Sequence, residues 1–147
     1  YNMKKIYFIL VLAILGIIPA MGQEKGISPE KRKEFREYKM KFLAQEMGLK
    51  EESMKKFFEV YNQLSDDRFD IRKEMHIINK KIKTNTATDS DYATLNRLKE
   101  QDADIEKRYD GKFATFLTSK EIFKMKEAEN VFRKKLHEMK EKKEKRK

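Results

Sequence analysis

A heptad seam between residues 51 and 83 constrains the fold of this chain more than any other feature. Its apolar residues follow one another at spacings of 3, 4, 3, 7, 4, 3 and 4: Met54, Phe57, Tyr61, Leu64, Ile71, Met75, Ile78 and Ile82. Alternating spacings of three and four place side chains along one line of an α-helix, and Arg68 occupies the single gap. At 1.5 Å per residue the helix would be about 50 Å long. Such a seam requires a partner helix, from the same chain or from another.

The rest of the chain also reads as helix, because few residues in it interrupt helices. Past residue 22, proline occurs only at position 29, and glycine only at positions 26, 48 and 111. Ser28-Pro29-Glu30 combines a hydroxyl cap, a proline for the first helical position and an acid beside the positive helix end. Gly48 is a natural left-handed terminator. We predict a first helix between these signals, with Leu49 folded over its end and a buried face formed by Phe35, Tyr38, Phe42 and Leu43.

Two further helices follow a polar turn at residues 84–89. Helix 3 is expected to start near Thr88 or Ser90, and its apolar stripe is Tyr92, Leu95, Leu98, Ile105, Tyr109, Phe113 and Phe116. Gln101, Asp102 and Asp104 interrupt this stripe, and Gly111 is a potential bend. Helix 4 carries Ile122, Met125, Val131, Phe132, Leu136 and Met139. From Lys140 onward nothing apolar remains, so we expect residues 140–147 to fray into a solvated basic tail.

The first 22 residues are typical of a secretory signal peptide. Lys4 and Lys5 precede the apolar run of residues 6–19, and Ala20 and Gly22 place small residues before a cleavage site. The run is shorter than the ~20 residues of a membrane-spanning helix. We therefore expect cleavage after Gly22, export to the periplasm, and a mature chain of residues 23–147. Removing residues 1–22 takes away two lysines and no acid, so the net charge falls from +10 to +8.

Composition argues against an enzyme and against a dedicated metal site. The chain has no cysteine, which removes thiol catalysis and thiolate ligands. Neither His76 nor His137 has the histidine partner four residues away that a helical zinc pair needs. Two acidic clusters, at residues 66–70 and 102–106, lack the spacing of a calcium loop. Solvated helix faces, or pairing within the chain to Arg68 and Arg72, explain these acids. We expect no cofactor, and export argues against a nucleic-acid partner.

The pattern around Leu117 resembles the Spy/CpxP family of periplasmic stress proteins, in which an LTxxQ motif recurs. Leu117, Thr118 and Glu121 match the second copy with Glu in place of Gln, and residues 49–53 stand where the first copy belongs. This first copy keeps the leucine, as Leu49, and includes Glu52, but it lacks the threonine and the glutamine of the motif. The residues themselves explain the motif as a capping box between Thr118 and Glu121, with Leu117 and Ile122 forming a hydrophobic staple.

The resemblance implies an all-α fold of four helices with a long second and third, arranged as a thin, antiparallel, hairpin-like layer. It also implies a curved homodimer with a concave face. We accordingly expect residues 23–139 to form the four-helix domain. Some members of the family are ATP-independent chaperones, others regulate envelope-stress sensor kinases, and others respond to metal. A fold resemblance does not choose among these roles.

Bulky residues off the seam are the candidates for binding other proteins: Phe58, Phe69, Ile77, Met40 and Met47, with Arg68 and Arg72 beside them. Either a dimer interface hides them, or they form an apolar surface, rimmed by Lys and Arg, that meets unfolded proteins. The first hypothesis is a chaperone that holds unfolded or partly folded envelope proteins. The second is an accessory regulator that binds the outer domain of a membrane stress sensor. The third is a structural oligomer.

Overall fold

The computed structural model describes residues 28–146, which form four α-helices: α1 (Pro29–Met47), α2 (Glu51–Lys83), α3 (Asp89–Phe113) and α4 (Ser119–Lys145). The prediction of an all-α chain is therefore confirmed, although α4 is slightly longer than α3. The predicted signal peptide at residues 1–22, the following residues 23–27 and Lys147 lie outside the described residues. Among the described helices, none is both long and apolar enough to cross a membrane.

The helices belong to two compact units. One unit combines α1 with α4 from Phe123 onward, and the other contains α2, α3 and the chain up to Ile122. In the first unit, Phe132 of α4 packs among three aromatic rings of α1, with centroid distances of 5.7 Å to Phe35, 6.1 Å to Tyr38 and 5.4 Å to Phe42. Leu136 and Met139 pack against the same cluster. Aromatic residues thus hold α1 and α4 together.

Both ends of α1 are closed as the sequence predicts. The Ser28 hydroxyl accepts a hydrogen bond from the Lys31 backbone N–H at 3.3 Å, and Pro29 is the first helical residue. Gly48 adopts a left-handed conformation with φ of 67°. The N–H of Gly48 donates to the carbonyl of Gln45, and that of Leu49 to Ala44, both at 3.1 Å. This pair of bonds is a Schellman motif, which satisfies two carbonyls at the helix end.

The second unit is an antiparallel helical hairpin. A short turn joins α2 to α3, and Asn85 takes a positive φ of 56° within it, a conformation that asparagine tolerates better than most residues. Thr88 caps α3 through reciprocal hydrogen bonds with Asp91. Contacting pairs run in opposite directions along the two helices, from Lys81 with Asp91 near the turn to Phe57 with Phe113 at the far end. The seam of α2 therefore finds its partner helix within the same chain.

Apolar side chains fill the hairpin at both ends. Near the turn, Ile78 packs with Leu95 and Leu98, and Ile71, Met75 and Ile82 border them. At the far end, the ring of Phe57 lies 5.4 Å from that of Tyr61 and 5.8 Å from that of Phe113. Phe57 and Phe113 are fully buried. Between these layers lies a polar section, where the apolar stripes of both helices are interrupted.

Three details of the predicted helices are wrong. Tyr92 and Val131 were expected in buried stripes, yet both are exposed. The helix α4 does not fray at Lys140 but continues to Lys145. Basic residues in its last turn favour the negative end of the helix dipole, and Glu138 and Glu141 stand four residues before lysines, a spacing that supports helix. Gly111, a potential bend, lies inside α3, which runs on to Phe113.

The two copies of the motif differ in how they start their helices. Thr118 and Glu121 form the predicted capping box, with N–H donors 2.9 and 3.1 Å from the accepting oxygens. Leu117 is buried and Ile122 half-buried, as a staple requires. In the first copy Lys50 is the cap residue and makes no side-chain capping bond. Leu49 is buried there, while exposed Glu52 contributes only an acid in the first turn.

Installing the missing box should stabilise the chain. Lys50 already has the extended backbone of a cap residue, with φ of −74° and ψ of 154°. We expect Lys50→Thr combined with Ser53→Glu to raise the free energy of unfolding by about 1 kcal/mol, because it satisfies two more N–H groups. Thr118→Ala should lower it by about 1 kcal/mol. Urea unfolding followed by circular dichroism measures both, and an unchanged double variant would contradict this account of the motif.

Candidate functional site

The gap in the α2 seam is filled by an ion pair to α3. Arg68 is only 8% exposed. Its Nε lies 2.8 Å from Oδ1 of Asp102, and its Nη2 lies 3.0 Å from Oδ2. This bidentate geometry is the strongest arrangement for an arginine and a carboxylate. Asp102 is the residue that interrupts the α3 stripe, so the two polar interruptions meet each other.

Two more charges border this pair. Arg72 reaches the same carboxylate at 3.5 Å, and Glu106 lies 3.8 Å from Arg68. Burial raises the pKa of Asp102, but the hydrogen bonds from Arg68 and the charge of Arg72 outweigh it, so the pKa lies below its ordinary value of 3.8. A lowered pKa in the folded state means that the pair contributes stability above pH 3.8, which is lost as the pH falls through the folded pKa.

A second polar contact joins α2 to α3 through Asp67. The buried hydroxyl of Tyr109 donates to Oδ2 of Asp67, and Nη2 of Arg108 lies 3.3 Å from the same oxygen. The Lys112 ammonium sits 4.5 Å from the centre of the Tyr109 ring. Burial and the Asp67 carboxylate raise the pKa of Tyr109 to about 12. Both acidic clusters thus supply a carboxylate that pairs within the chain. In residues 28–146 no group of acids and histidines is arranged to hold a metal ion.

The predicted binding residues on α2 separate into two lines. Phe69 is 36% exposed and Ile77 is 49% exposed, whereas Phe58 is half-buried with its ring 6.0 Å from that of Phe57. At 3.6 residues per turn, the 11 residues from Phe58 to Phe69 bring them within about 20° of each other around the helix. Ile77, eight residues after Phe69, is turned away by about 80°. Phe58 and Phe69 therefore share a face, and Ile77 lies on another.

Three of the predicted binding residues do not form an open surface. Met40 and Met47 are each 3% exposed, so the expectation that they lie at a surface is wrong, and they are core residues. Arg68 is buried in its pair with Asp102 and is therefore not presented to a partner. Arg72 remains accessible, with a side chain 48% exposed. Burial of this kind depends on the neighbouring helix, which the spacing within one helix does not reveal.

Three exposed apolar residues were missed. Tyr92 is 47%, Val131 42% and Phe123 63% exposed. Phe123 could have been found from the sequence, because it lies nine residues before Phe132. That spacing is about two and a half helical turns and puts the two residues on opposite sides of α4. Tyr92 and Val131 gave no such signal, since each falls close to the edge of an apolar stripe.

The hairpin unit is electrically balanced. Residues 50–122 contain 15 basic and 15 acidic residues. The described parts of the other unit, residues 28–49 and 123–146, contain 16 basic and 9 acidic residues. The unit that carries Phe69 and Ile77 therefore has no net charge. The net positive charge of the described chain belongs entirely to the α1–α4 unit.

Removing one partner of the Arg68–Asp102 pair should lower the free energy of unfolding far more than removing both. We expect Arg68→Leu or Asp102→Leu each to lower the free energy of unfolding by about 3 kcal/mol, because the remaining buried charge loses its bidentate partner. The double variant should stay within about 1 kcal/mol of the wild type, since two leucines would complete the apolar seam. Urea unfolding of the wild type, the two single variants and the double variant measures these free energies. Arg72→Leu, at an exposed position, is the control and should cost less than about 1 kcal/mol. Equal losses for Arg68→Leu and Arg72→Leu would contradict a buried pair.

Tyr109 should ionise at unusually high pH. Tyrosinate absorbance is measured against pH for the wild type and for Tyr109→Phe. The difference between the two titration curves should have its midpoint near the pKa of about 12. Because this pKa is raised above the ordinary 10.0, the contribution of Tyr109 to stability should be complete below pH 10.0 and decline as the pH rises toward about 12. A difference midpoint near pH 10.0 would show that Tyr109 is not held by Asp67.

Comparisons with known proteins assign no family to this geometry. No family model, no curated protein and no solved structure matches the chain. The likeness to the Spy/CpxP family accordingly stays a prediction carried by the sequence motif at Leu117.

Proposed function

We propose that this chain is a non-catalytic, ATP-independent chaperone of the Spy/CpxP type, which holds unfolded or partly folded proteins of the cell envelope. The observation that carries the proposal is the exposure of Phe69 and Ile77 on α2, 36% and 49% respectively. Both are bulky apolar residues on a helix whose seam is already filled by α3. Their exposed parts are apolar surface on the outer side of the hairpin, which a second polypeptide can contact.

The geometry of the hairpin supports weak, reversible binding. Two helices bury mainly the stripes that face each other, and Phe69 and Ile77 lie outside the buried stripe of α2. Full burial of one such side chain contributes about 1.5–3 kcal/mol, and these two are already partly covered. A few contacts of this size hold an unfolded segment without trapping it. Release then needs no ATP, because folding of the client removes the apolar segments that bind.

Charge balance indicates which force acts on the client. Because residues 50–122 carry no net charge, long-range attraction to acidic segments is weak at this surface, and binding there is mainly apolar. Apolar binding depends little on ionic strength, whereas attraction between charges is screened beyond about 10 Å at 0.1 M salt. Dependence on salt therefore separates a client surface on the hairpin from one on the basic α1–α4 unit.

The test is suppression of aggregation of a chemically denatured protein, at low and high salt, by the chain from Gln23 onward. We expect suppression at near-stoichiometric ratio under both conditions. Phe69→Ser with Ile77→Ser should require roughly 30-fold more chaperone, since each serine removes about 1 kcal/mol of apolar contact. Gln63→Ser with Asn79→Ser is the matched control, because it introduces the same residue twice at exposed positions of α2. This control should suppress aggregation like the wild type.

The outcomes separate the three hypotheses. Failure to suppress aggregation at both salt concentrations would contradict the chaperone proposal and leave the accessory regulator of a membrane stress sensor and the structural oligomer. Equal loss of activity in both double variants would show that Phe69 and Ile77 are not the contact. The homodimer stays a prediction. Light scattering that shows a closed assembly with no affinity for unfolded proteins would favour the structural oligomer.

A further inference from the structure

The positive charge of the α1–α4 unit is concentrated at the end of α4. Residues 133–146 contain eight basic and three acidic residues. The helix continues through this segment to Lys145. These charges therefore lie on a continuous helix, which spaces them more closely than an extended tail would.

The apolar residues of this segment face inward. Leu136 and Met139 pack against the cluster of Tyr38 and Phe132. Past Met139, residues 140–146 contain only lysine, arginine and glutamate. The end of α4 thus offers charge without an apolar pocket or anchor.

The lysines point in several directions. Lys142 follows Lys140 by two residues and Lys145 follows Lys142 by three, which turns them by about 200° and about 300° around the helix. All three are exposed. Lysine is a compact point charge that lacks the planar fork with which arginine recognises single carboxylates or phosphates. The segment is consequently suited to a partner of high charge density and little fixed shape.

We propose that residues 133–146 of α4 bind an anionic phospholipid surface. A folded acidic protein would need a complementary patch of about 800 Å² on each partner, and a helix end with lysines on all sides provides no such patch. A lipid surface adapts to the helix, because its charged headgroups move laterally beneath it. Each Lys or Arg near an anionic membrane surface contributes about 1 kcal/mol of attraction, and this segment carries eight of them. This inference concerns the α1–α4 unit and does not depend on the chaperone proposal.

The experiment is sedimentation of the chain from Gln23 onward with vesicles. One set contains phosphatidylcholine only, and the other contains equal parts of phosphatidylcholine and phosphatidylglycerol. We expect binding to the anionic vesicles at low salt, little binding to the neutral ones, and loss of binding near 1 M salt, where screening acts within about 3 Å. Each lysine near an anionic surface strengthens binding roughly fivefold. Lys140→Gln, Lys142→Gln and Lys145→Gln together should weaken binding on the order of 100-fold.

A second triple variant gives the matched control. Lys73→Gln, Lys80→Gln and Lys83→Gln remove the same charge from exposed positions of the hairpin unit, two of them also in a last helical turn. This variant should bind anionic vesicles within roughly threefold of the wild type, because its lysines lie in the other unit. Circular dichroism of both variants verifies that the helices are retained.

Several results would overturn the proposal. Equal weakening by the two triple variants would show that net charge matters and the end of α4 does not. Equal binding to neutral and anionic vesicles would point to apolar insertion. Binding to soluble polyglutamate without binding to anionic vesicles would identify an acidic protein as the partner. Suppression of aggregation by the α4 triple variant is measured separately, so failure of one proposal does not imply failure of the other.

Discussion

The bidentate pair between Arg68 and Asp102 fixes how α2 and α3 lie against each other. A heptad seam by itself tolerates a slip of seven residues, because apolar side chains would still meet apolar side chains. A slip here would leave a guanidinium and a carboxylate buried without partners, which is far more costly than a change of apolar contacts. The pair therefore favours the observed register, together with the short turn between α2 and α3. Its position between two apolar layers, near Ile78 and near Phe57, makes each layer form with its intended partner.

The register of the hairpin also determines which residues of α2 remain exposed. Once Tyr61, Leu64 and Ile78 are buried in the hairpin, the residues on the far side of α2 have no helix of the same unit to cover them. Phe69 and Ile77 are exposed for this reason and not because of a local irregularity. The two units then differ in kind: the hairpin has balanced charge and exposed apolar residues, whereas the α1–α4 unit carries the net positive charge. A chain with this division has two surfaces of different chemistry, which suits contact with polypeptides at one and with an anionic surface at the other.

Local signals were read correctly wherever the physical cause lies within a few residues. Ser28, Gly48 and Thr118 act on backbone groups at most four residues away, so their capping roles follow from the sequence. The seam of α2 follows for the same reason, since helical spacing is a local property. The continuation of α4 past Lys140 was missed because the absence of apolar residues was weighed above the dipole and the Glu-to-Lys spacings. Those terms are individually small, and their sum is hard to judge along a charged segment.

The sequence by itself determined that this chain is helical, where its helices begin and end apart from the C-terminal end of α4, and which stripe of α2 is buried. It also marked Arg68 and Asp102 as interruptions of two separate stripes. Only the tertiary structure decided that these interruptions pair, that Met40 and Met47 are core residues, and that Tyr92 and Val131 are exposed. Periodicity describes one helix at a time, whereas burial depends on which neighbour lies across the gap. For residues at the edge of an apolar stripe, the neighbouring helix decides whether they are buried or exposed.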